Sequence, residues 1–293
     1  MKTAYLFPGQ GSQERGMGRR LFERFAQHVE EASGVLGYSL AELCLEDPRR
    51  ELARTEFTQP AVYVVNALAY LERLEEAGRR PDYVAGHSLG EYDALFAAGV
   101  FDFRTGLLLV KRRGELMSRV TGGGMAAVIG LTPRRVGALL ASEGLDSSID
   151  VANFNSYEQT VLAGPQDALA DAKPAFESAG ARHFVTLNVS APFHSRYMIE
   201  AEVEFERHLS EFSFNEPSVT VLSNYRGRPY EGAREIQENL ARQISHPVRW
   251  IECVEHVMRE DEAEFEEVGN GSVLTKLVQQ IRARTPFAAP AHA

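Results

Sequence analysis

The sequence predicts an α/β fold in which a large domain built on a mainly parallel sheet carries a small inserted ferredoxin-like domain of βαββαβ order. Short apolar runs at residues 3–7 and 83–86 each end in a glycine-bearing turn and open toward a helical stretch. Between residues 124 and 189 the pattern reads strand, helix, strand, strand, helix, strand. After residue 193 helices and strands alternate again. The large domain is therefore expected over residues 1–123 and 190–293 and the small one over 124–189, a division that suits 293 residues.

Residues 3–7 read as a first strand that runs into the loop Pro8-Gly9-Gln10-Gly11-Ser12-Gln13, and loops at strand ends are where sites are built. Helices are expected at 18–25 and 59–76. The second carries Ala61, Val64, Val65, Leu68, Leu71 and Leu74 on one face, with Pro81 as its stop. Residues 83–86 form a strand leading through His87-Ser88-Leu89-Gly90 into a helix. Asp102 or Thr105 can cap the next one, which runs to about residue 120 and carries Arg113. Gly122-Gly123-Gly124 reads as a hinge. Beyond it strands are expected at 125–130, 149–153, 159–164 and 183–189, with helices at 133–143 and 165–179. The large domain resumes with a long helix from Phe193 to about 212, a strand at 219–223, helices at 233–243 and 248–259, and a strand at 264–268. The alanine- and proline-rich residues 286–293 are expected to fray.

With 44% hydrophobic and 25% charged residues, the chain has the make-up of an ordinary globular protein. A formal net charge of -10 argues against a nucleic-acid partner, since that grip needs lysines and arginines on phosphates. No apolar run approaches the roughly 20 residues that span a bilayer, and residues 1–6 lack the basic start of a secretory signal. A cytoplasmic protein, monomeric and without a membrane partner, is expected. Cys44 and Cys253 form no Cys-x-x-Cys pair and neighbour no histidine, so both read as buried thiols.

Gly86-His87-Ser88-Leu89-Gly90 matches Gly-x-Ser-x-Gly, in which small flanking residues let a chain turn sharply and lift a serine hydroxyl above a sheet. This setting between strand and helix makes the large domain α/β-hydrolase-like. It also directs the N–H of Leu89, at a helix start, toward a developing oxyanion. A serine hydroxyl needs a base. Of the eight histidines, five (His28, His183, His208, His256 and His292) have no distinctive context. His87 adjoins the nucleophile but should point away, which suits packing or pocket lining. His194, in Ser190-Ala191-Pro192-Phe193-His194-Ser195, lies where the chain returns to the large domain; on the residues alone it is a candidate base beside a packing histidine.

These segments together resemble the malonyl-CoA:acyl carrier protein transacylase family, which includes the acyltransferase domains of polyketide synthases. The matching stretches are residues 7–13, Gly86-His87-Ser88-Leu89-Gly90-Glu91-Tyr92, Arg113-Gly114-Glu115-Leu116-Met117, residues 155–164, Phe193-His194-Ser195, Pro247-Val248-Arg249-Trp250 and residues 269–274. They span nearly the whole chain in order. The resemblance implies that Ser88 is acylated, that His194 is its general base, and that the N–H groups of Gln10 and Leu89 form the oxyanion hole. It also implies that a backbone carbonyl just before the Pro-Val-x-Trp segment, that of Gln243, orients the histidine.

Arg113 alone reads as a solvated helix arginine, like Lys111 and Arg112 beside it. Within the resemblance its guanidinium fork would hold the free carboxylate of a malonyl group by two charge-assisted hydrogen bonds. Phe193, before the base, would crowd an α-branched acyl group, an effect of about 1–3 kcal/mol. The stretches 191–198 and 94–103 look most like freestanding acyltransferases that serve polyketide synthases in trans. The implied substrates are malonyl-CoA and the phosphopantetheine thiol of an acyl carrier protein, with no permanently bound cofactor and no metal. Arg49-Arg50, Arg79-Arg80 and Arg134-Arg135 are candidate docking spots for these anionic partners, although such pairs are more often simply a solvated face.

Three other readings compete. An editing acyl hydrolase of the same fold has less need of an arginine clamp, and a conventional α/β-hydrolase would place an acidic residue between its serine and histidine. A non-catalytic carrier-binding module has no need of Ser88, His194 and Arg113 together. The malonyl transacylase of fatty-acid synthesis remains the nearest variant of the favoured reading.

Overall fold

The computed structural model describes residues 2–260 and 262–285; the expectation that residues 286–293 fray lies outside them. In chain order the elements begin with β1 (Lys2–Phe7), α1 (Arg19–Arg24), α2 (Ala26–Leu36), α3 (Leu40–Leu45), α4 (Thr55–Ala77), β2 (Tyr83–Gly86), α5 (Gly90–Ala97) and α6 (Phe103–Ser118). Next come β3 (Gly123–Ile129), α7 (Pro133–Ser142), β4 (Asp150–Ser156), β5 (Gln159–Pro165), α8 (Gln166–Ser178) and β6 (His183–Thr186). The chain continues through α9 (Ile199–Leu209), β7 (Thr220–Ser223), β8 (Arg228–Pro229), α10 (Ile236–Gln243), α11 (Trp250–Glu260), β9 (Ala263–Glu267) and α12 (Val273–Arg284).

The larger sheet has the order β8-β7-β2-β1-β9, with β7, β2, β1 and β9 parallel and β8 antiparallel at the edge. Its central strands are buried on both faces, as a parallel sheet covered by helices must be. Tyr5, Phe7 and Val84 enter the core with α4, α5 and α6, while Ala4, Leu6, Tyr83 and Ala85 pack toward α11 and α12. The second sheet is antiparallel in the order β4-β5-β3-β6, the ferredoxin-like arrangement, with α7 and α8 on one face. Period-2 alternation along β3 places Ala126 and Val128 under those helices and turns Met125 and Ala127 toward the large sheet. That second face is one wall of the cavity described below.

Several expectations change. The long helix α4 begins at Thr55, runs through Pro60, and stops at Gly78, whose φ of 64° lets its N–H cap Leu74; Pro81 comes too late to matter. Burial from Thr58 to Leu68 outweighs the helix-start signal that Pro60 presents. No long helix starts at Phe193. His194 has a left-handed φ of 58°, a 3-10 turn follows, and α9 begins only at Ile199. Gly123 and Gly124 belong to β3, leaving Gly122 as the turn residue, and β6 stops at Thr186 rather than 189. Helices α2, α3 and α12 were not foreseen. Asp102 does cap α6, accepting from the N–H of Thr105 at 2.7 Å.

Candidate active site

The carboxyl ends of β1 and β2 lie side by side, with Phe7 paired to Gly86, so the two loops that leave them meet. Ser88 follows β2 with φ 53°, in the left-handed region that a tight strand-to-helix turn demands. A methyl group on Gly86 would lie 1.8 Å from the carbonyl carbon of Gly90, so the turn closes only with glycine there. Asn224, just past β7, straps the turn: its Oδ1 accepts from the Ser88 N–H at 2.6 Å and its Nδ2 donates to the Gly86 carbonyl at 2.7 Å. The Leu89 N–H stands at the start of α5. A Cβ on Gly9 would lie 2.3 Å from the His87 carbonyl oxygen, which brings the Gln10 backbone over the same turn. Among the described residues neither the Gln10 nor the Leu89 N–H has a protein acceptor.

His194 reaches Ser88 from the loop between β6 and α9. Its Nε2 lies 2.7 Å from Ser88 Oγ, and its Nδ1 lies 2.7 Å from the backbone oxygen of Gln243. A carbonyl can only accept, so Nδ1 carries the hydrogen and Nε2 presents its lone pair to the serine. The His194 N–H donates to Ile244 O at 3.1 Å, a second tie to the same loop. Burial, then the nearby positive charge of Arg113, lowers the His194 pKa to about 3, so the imidazole is neutral and able to take a proton.

Arg113 extends from α6 into the same space and is 1% exposed. Its Nη1 donates to Gln59 Oε1 at 2.7 Å; its Nη2 donates to Gln243 Oε1 at 2.8 Å and to Ser88 Oγ at 3.0 Å. All three partners are neutral. A buried cation met only by neutral acceptors, beside the Ser88 hydroxyl, is arranged to receive an anion.

These groups border a cavity of about 220 Å³ between the two sheets. Gln10, His87, Ser88, Arg113, Phe193 and His194 all line it, and Met125, Val161, Leu187 and Val189 supply an apolar wall from the second sheet and the loop that follows β6. His87 turns away from the Ser88–His194 pair: its Nε2 meets Asn155 Oδ1 at 2.8 Å and its ring packs edge-on to Trp250. Phe193 is buried next to His194. Of the basic pairs, Arg49 is bound to Glu51 and Arg79 to Asp82, while Arg134 and Arg135 form no salt bridge among the described residues. Both cysteines are buried and free.

Sequence reasoning missed Gln59 and Asn224, and also Glu91 and Tyr230, of which the first accepts from Gln243 Nε2 and from the hydroxyl of the second. Glu91 was present in the motif stretch, one turn past Ser88, but nothing in one dimension ties it to Gln243. Gln59 and Asn224 sit 54 and 136 residues from the groups they hold, with no local signal.

Known proteins give this geometry a context. The acyl transferase domain model matches residues 4–287. The polyketide biosynthesis malonyl CoA-acyl carrier protein transacylase BaeC of Bacillus velezensis is 52% identical over 282 residues, 96% of this chain and 97% of that protein. The malonyl CoA-acyl carrier protein transacylase of Escherichia coli K12 is 36% identical, covering 95% of this chain and 92% of its own. The crystal structure of the malonyl CoA-acyl carrier protein transacylase from Burkholderia pseudomallei superposes with a TM-score of 0.94 at 46% identity, over 98% of this chain and 100% of that one. A structure of a type II PKS acyl-carrier protein in complex with its malonyl-transacylase gives 0.91 at 37% identity, over 96% and 93% of the two chains. With a match that runs from the first strand to the last helix and takes in both sheets and the loops meeting at Ser88, the chain belongs to the acyl transferase domain family.

Proposed function

We propose that this enzyme transfers a malonyl group from coenzyme A to the phosphopantetheine thiol of an acyl carrier protein through an ester on Ser88, and that it supplies a polyketide synthase in trans. The observation that carries the malonyl assignment is the buried Arg113 guanidinium, 3.0 Å from Ser88 Oγ and bound only by neutral groups. A malonyl carboxylate would complete it, whereas an acetyl group would leave it unpaired. The names of BaeC and of PksC of Bacillus subtilis, both polyketide biosynthesis malonyl CoA-acyl carrier protein transacylases, and the complex of an acyl-carrier protein with its malonyl-transacylase support the same substrate and carrier.

In the first half-reaction Ser88 Oγ attacks the thioester carbonyl carbon while its proton passes to His194 Nε2. The negative charge on the carbonyl oxygen is met by the N–H groups of Leu89 and Gln10. Collapse of the tetrahedral intermediate breaks the C–S bond, and the coenzyme A sulfur leaves with the proton held by His194. The carrier thiol then repeats these steps against the Ser88 ester. Gln243 O stabilises the imidazolium in each half, less strongly than a carboxylate would. Residues 124–189 act as an inserted domain whose sheet closes the acyl cavity, and the chemistry needs no permanently bound cofactor.

Intact-protein mass spectrometry after mixing with malonyl-CoA, then with phosphopantetheinylated carrier, tests this reading. A malonyl adduct on wild type that moves to the carrier, absent in Ser88→Ala, supports it. An adduct lost to water at the same rate with or without carrier would make the enzyme a hydrolase.

A further inference from the structure

Glu91, on the first turn of α5, is fully buried directly beneath the site, yet no step above uses it. Its Oε2 accepts from Gln243 Nε2 at 2.6 Å and from the Asn224 N–H at 3.1 Å, and its Oε1 accepts from the Tyr230 hydroxyl. Gln243 Nε2 has two hydrogens; the second goes to the Ser88 carbonyl at 2.9 Å. Both acceptors lack a proton to give when Glu91 is ionised, so the amide cannot rotate by half a turn without setting its oxygen against two others. Its Oε1 is therefore obliged to face Arg113 Nη2.

Charge points the same way. The direct partners of Arg113 are neutral, and burial pushes the neighbouring Tyr92 phenol well above its ordinary value, so it stays neutral too. Glu91 is the remaining acidic group whose field acts on Arg113. A buried cation needs a compensating anion while its substrate carboxylate is absent.

We infer that Glu91 is a positioning residue for acyl selection: it serves as the resting counter-charge of Arg113 and, by fixing the Gln243 amide, aims the guanidinium at the malonyl carboxylate. The inference rests on the reading of Arg113 as the malonyl clamp. It differs from a packing role because an amide of the same shape removes the counter-charge and leaves one neutral oxygen where two charged ones accepted from three donors, Gln243 Nε2, the Asn224 N–H and the Tyr230 hydroxyl. The hold on the Gln243 amide, and through it on Arg113, weakens while the packing is kept.

The test compares kcat/KM for malonyl-CoA and acetyl-CoA, each with phosphopantetheinylated carrier as acceptor, in wild type, Arg113→Ala, Glu91→Gln and Glu91→Asp. Assays run at pH 8, above the value of about 7 to which burial pushes the Glu91 carboxyl. The malonyl-to-acetyl ratio is expected to fall about tenfold or more in Glu91→Gln, the scale of one charge-assisted interaction. Glu91→Asp, which keeps the charge but withdraws it, falls between Glu91→Gln and wild type. A purely structural role would lower both substrates alike and preserve the ratio, and that result overturns the inference. If Glu91→Gln does not fold, a Glu91→Asp enzyme with the wild-type ratio overturns it equally. Retention of the ratio in Arg113→Ala would instead refute the clamp itself, so the two failures are told apart.

Discussion

Nδ1 of His194 lies 2.7 Å from the carbonyl oxygen of Gln243, and the side chain of that same glutamine lies 2.8 Å from the Arg113 guanidinium. One residue at the end of α10 thus sets both the imidazole and the charged group beside Ser88. Its backbone fixes a tautomer and its side chain fixes an orientation.

Because Gln243 offers the imidazole a neutral acceptor, His194 carries the proton transfer with little help. His194→Ala is expected to slow acylation by about 10²–10⁴-fold, the usual range for loss of a positioned base, while Ser88→Ala forms no adduct at all. Rapid-quench mass spectrometry with malonyl-CoA separates the two. Equal acylation by wild type and His194→Ala would remove His194 from the mechanism.

The charge of Arg113 is the second cause, after burial, of the low His194 pKa of about 3. A malonyl carboxylate seated on Arg113 cancels that charge and leaves the burial, so the imidazole of a malonyl-enzyme takes up a proton at higher pH than that of an acetyl-enzyme. Only neutral His194 can accept the carrier's thiol proton. Single-turnover transfer from the malonyl-enzyme should accordingly lose rate on the acid side at a higher pH than transfer from the acetyl-enzyme. Coincident acid limbs would mean that the carboxylate does not reach Arg113.

Arg113→Lys keeps a cation but replaces the planar fork with a point charge on a shorter reach. Gln59 and Gln243 are spaced to be met by two separate nitrogens, which a single ammonium cannot span. Malonyl kcat/KM is expected to fall about tenfold or more, with part of the preference over acetyl retained. An unchanged value would show that charge alone suffices.

Much of this site was readable in one dimension because its parts lie where strands end. Ser88 and Leu89 sit between an apolar run and a helix, and the turn announces itself through two glycines. Arg113 was visible only as one basic residue among Lys111 and Arg112 until the family pattern singled it out; α6 turns it inward, whereas Arg112 pairs with Glu204 and Glu115 near the surface. The βαββαβ order was legible from short strands with turns between them. The helix expected from Phe193 failed for a physical reason: the left-handed φ that presents His194 to Ser88 cannot belong to a helix. Glu91, Asn224 and Tyr230 stayed hidden because a network of buried hydrogen bonds leaves no periodic trace.

Phe193 narrows the cavity beside the base. Phe193→Ala should raise kcat/KM for methylmalonyl-CoA relative to malonyl-CoA by about 10–200-fold, the effect of about 1–3 kcal/mol in an apolar contact. A competition assay with both donors and one carrier measures the ratio. If it does not move, the α-substituent points away from the ring.

Asn224 offers a test of the turn itself. Its side chain takes the half-buried Ser88 N–H and gives to the buried Gly86 carbonyl, and its own N–H goes to Glu91. Asn224→Ala leaves the buried Gly86 carbonyl and the half-buried Ser88 N–H without this partner and should destabilise the fold by about 1–3 kcal/mol, measured by denaturant unfolding. Asn224→Asp keeps the acceptor for Ser88 but loses the donor and sets a second carboxyl beside Glu91. Burial and that neighbour raise the folded pKa of the new group above its unfolded value, so its penalty is absent below about pH 4 and grows as pH rises through the raised pKa. Asn224→Asp is therefore expected to match or exceed Asn224→Ala in stability at pH 5 and to fall below it at pH 8. A pH-independent difference between the two variants would mean that the Asn224 side chain and Glu91 do not share one buried network.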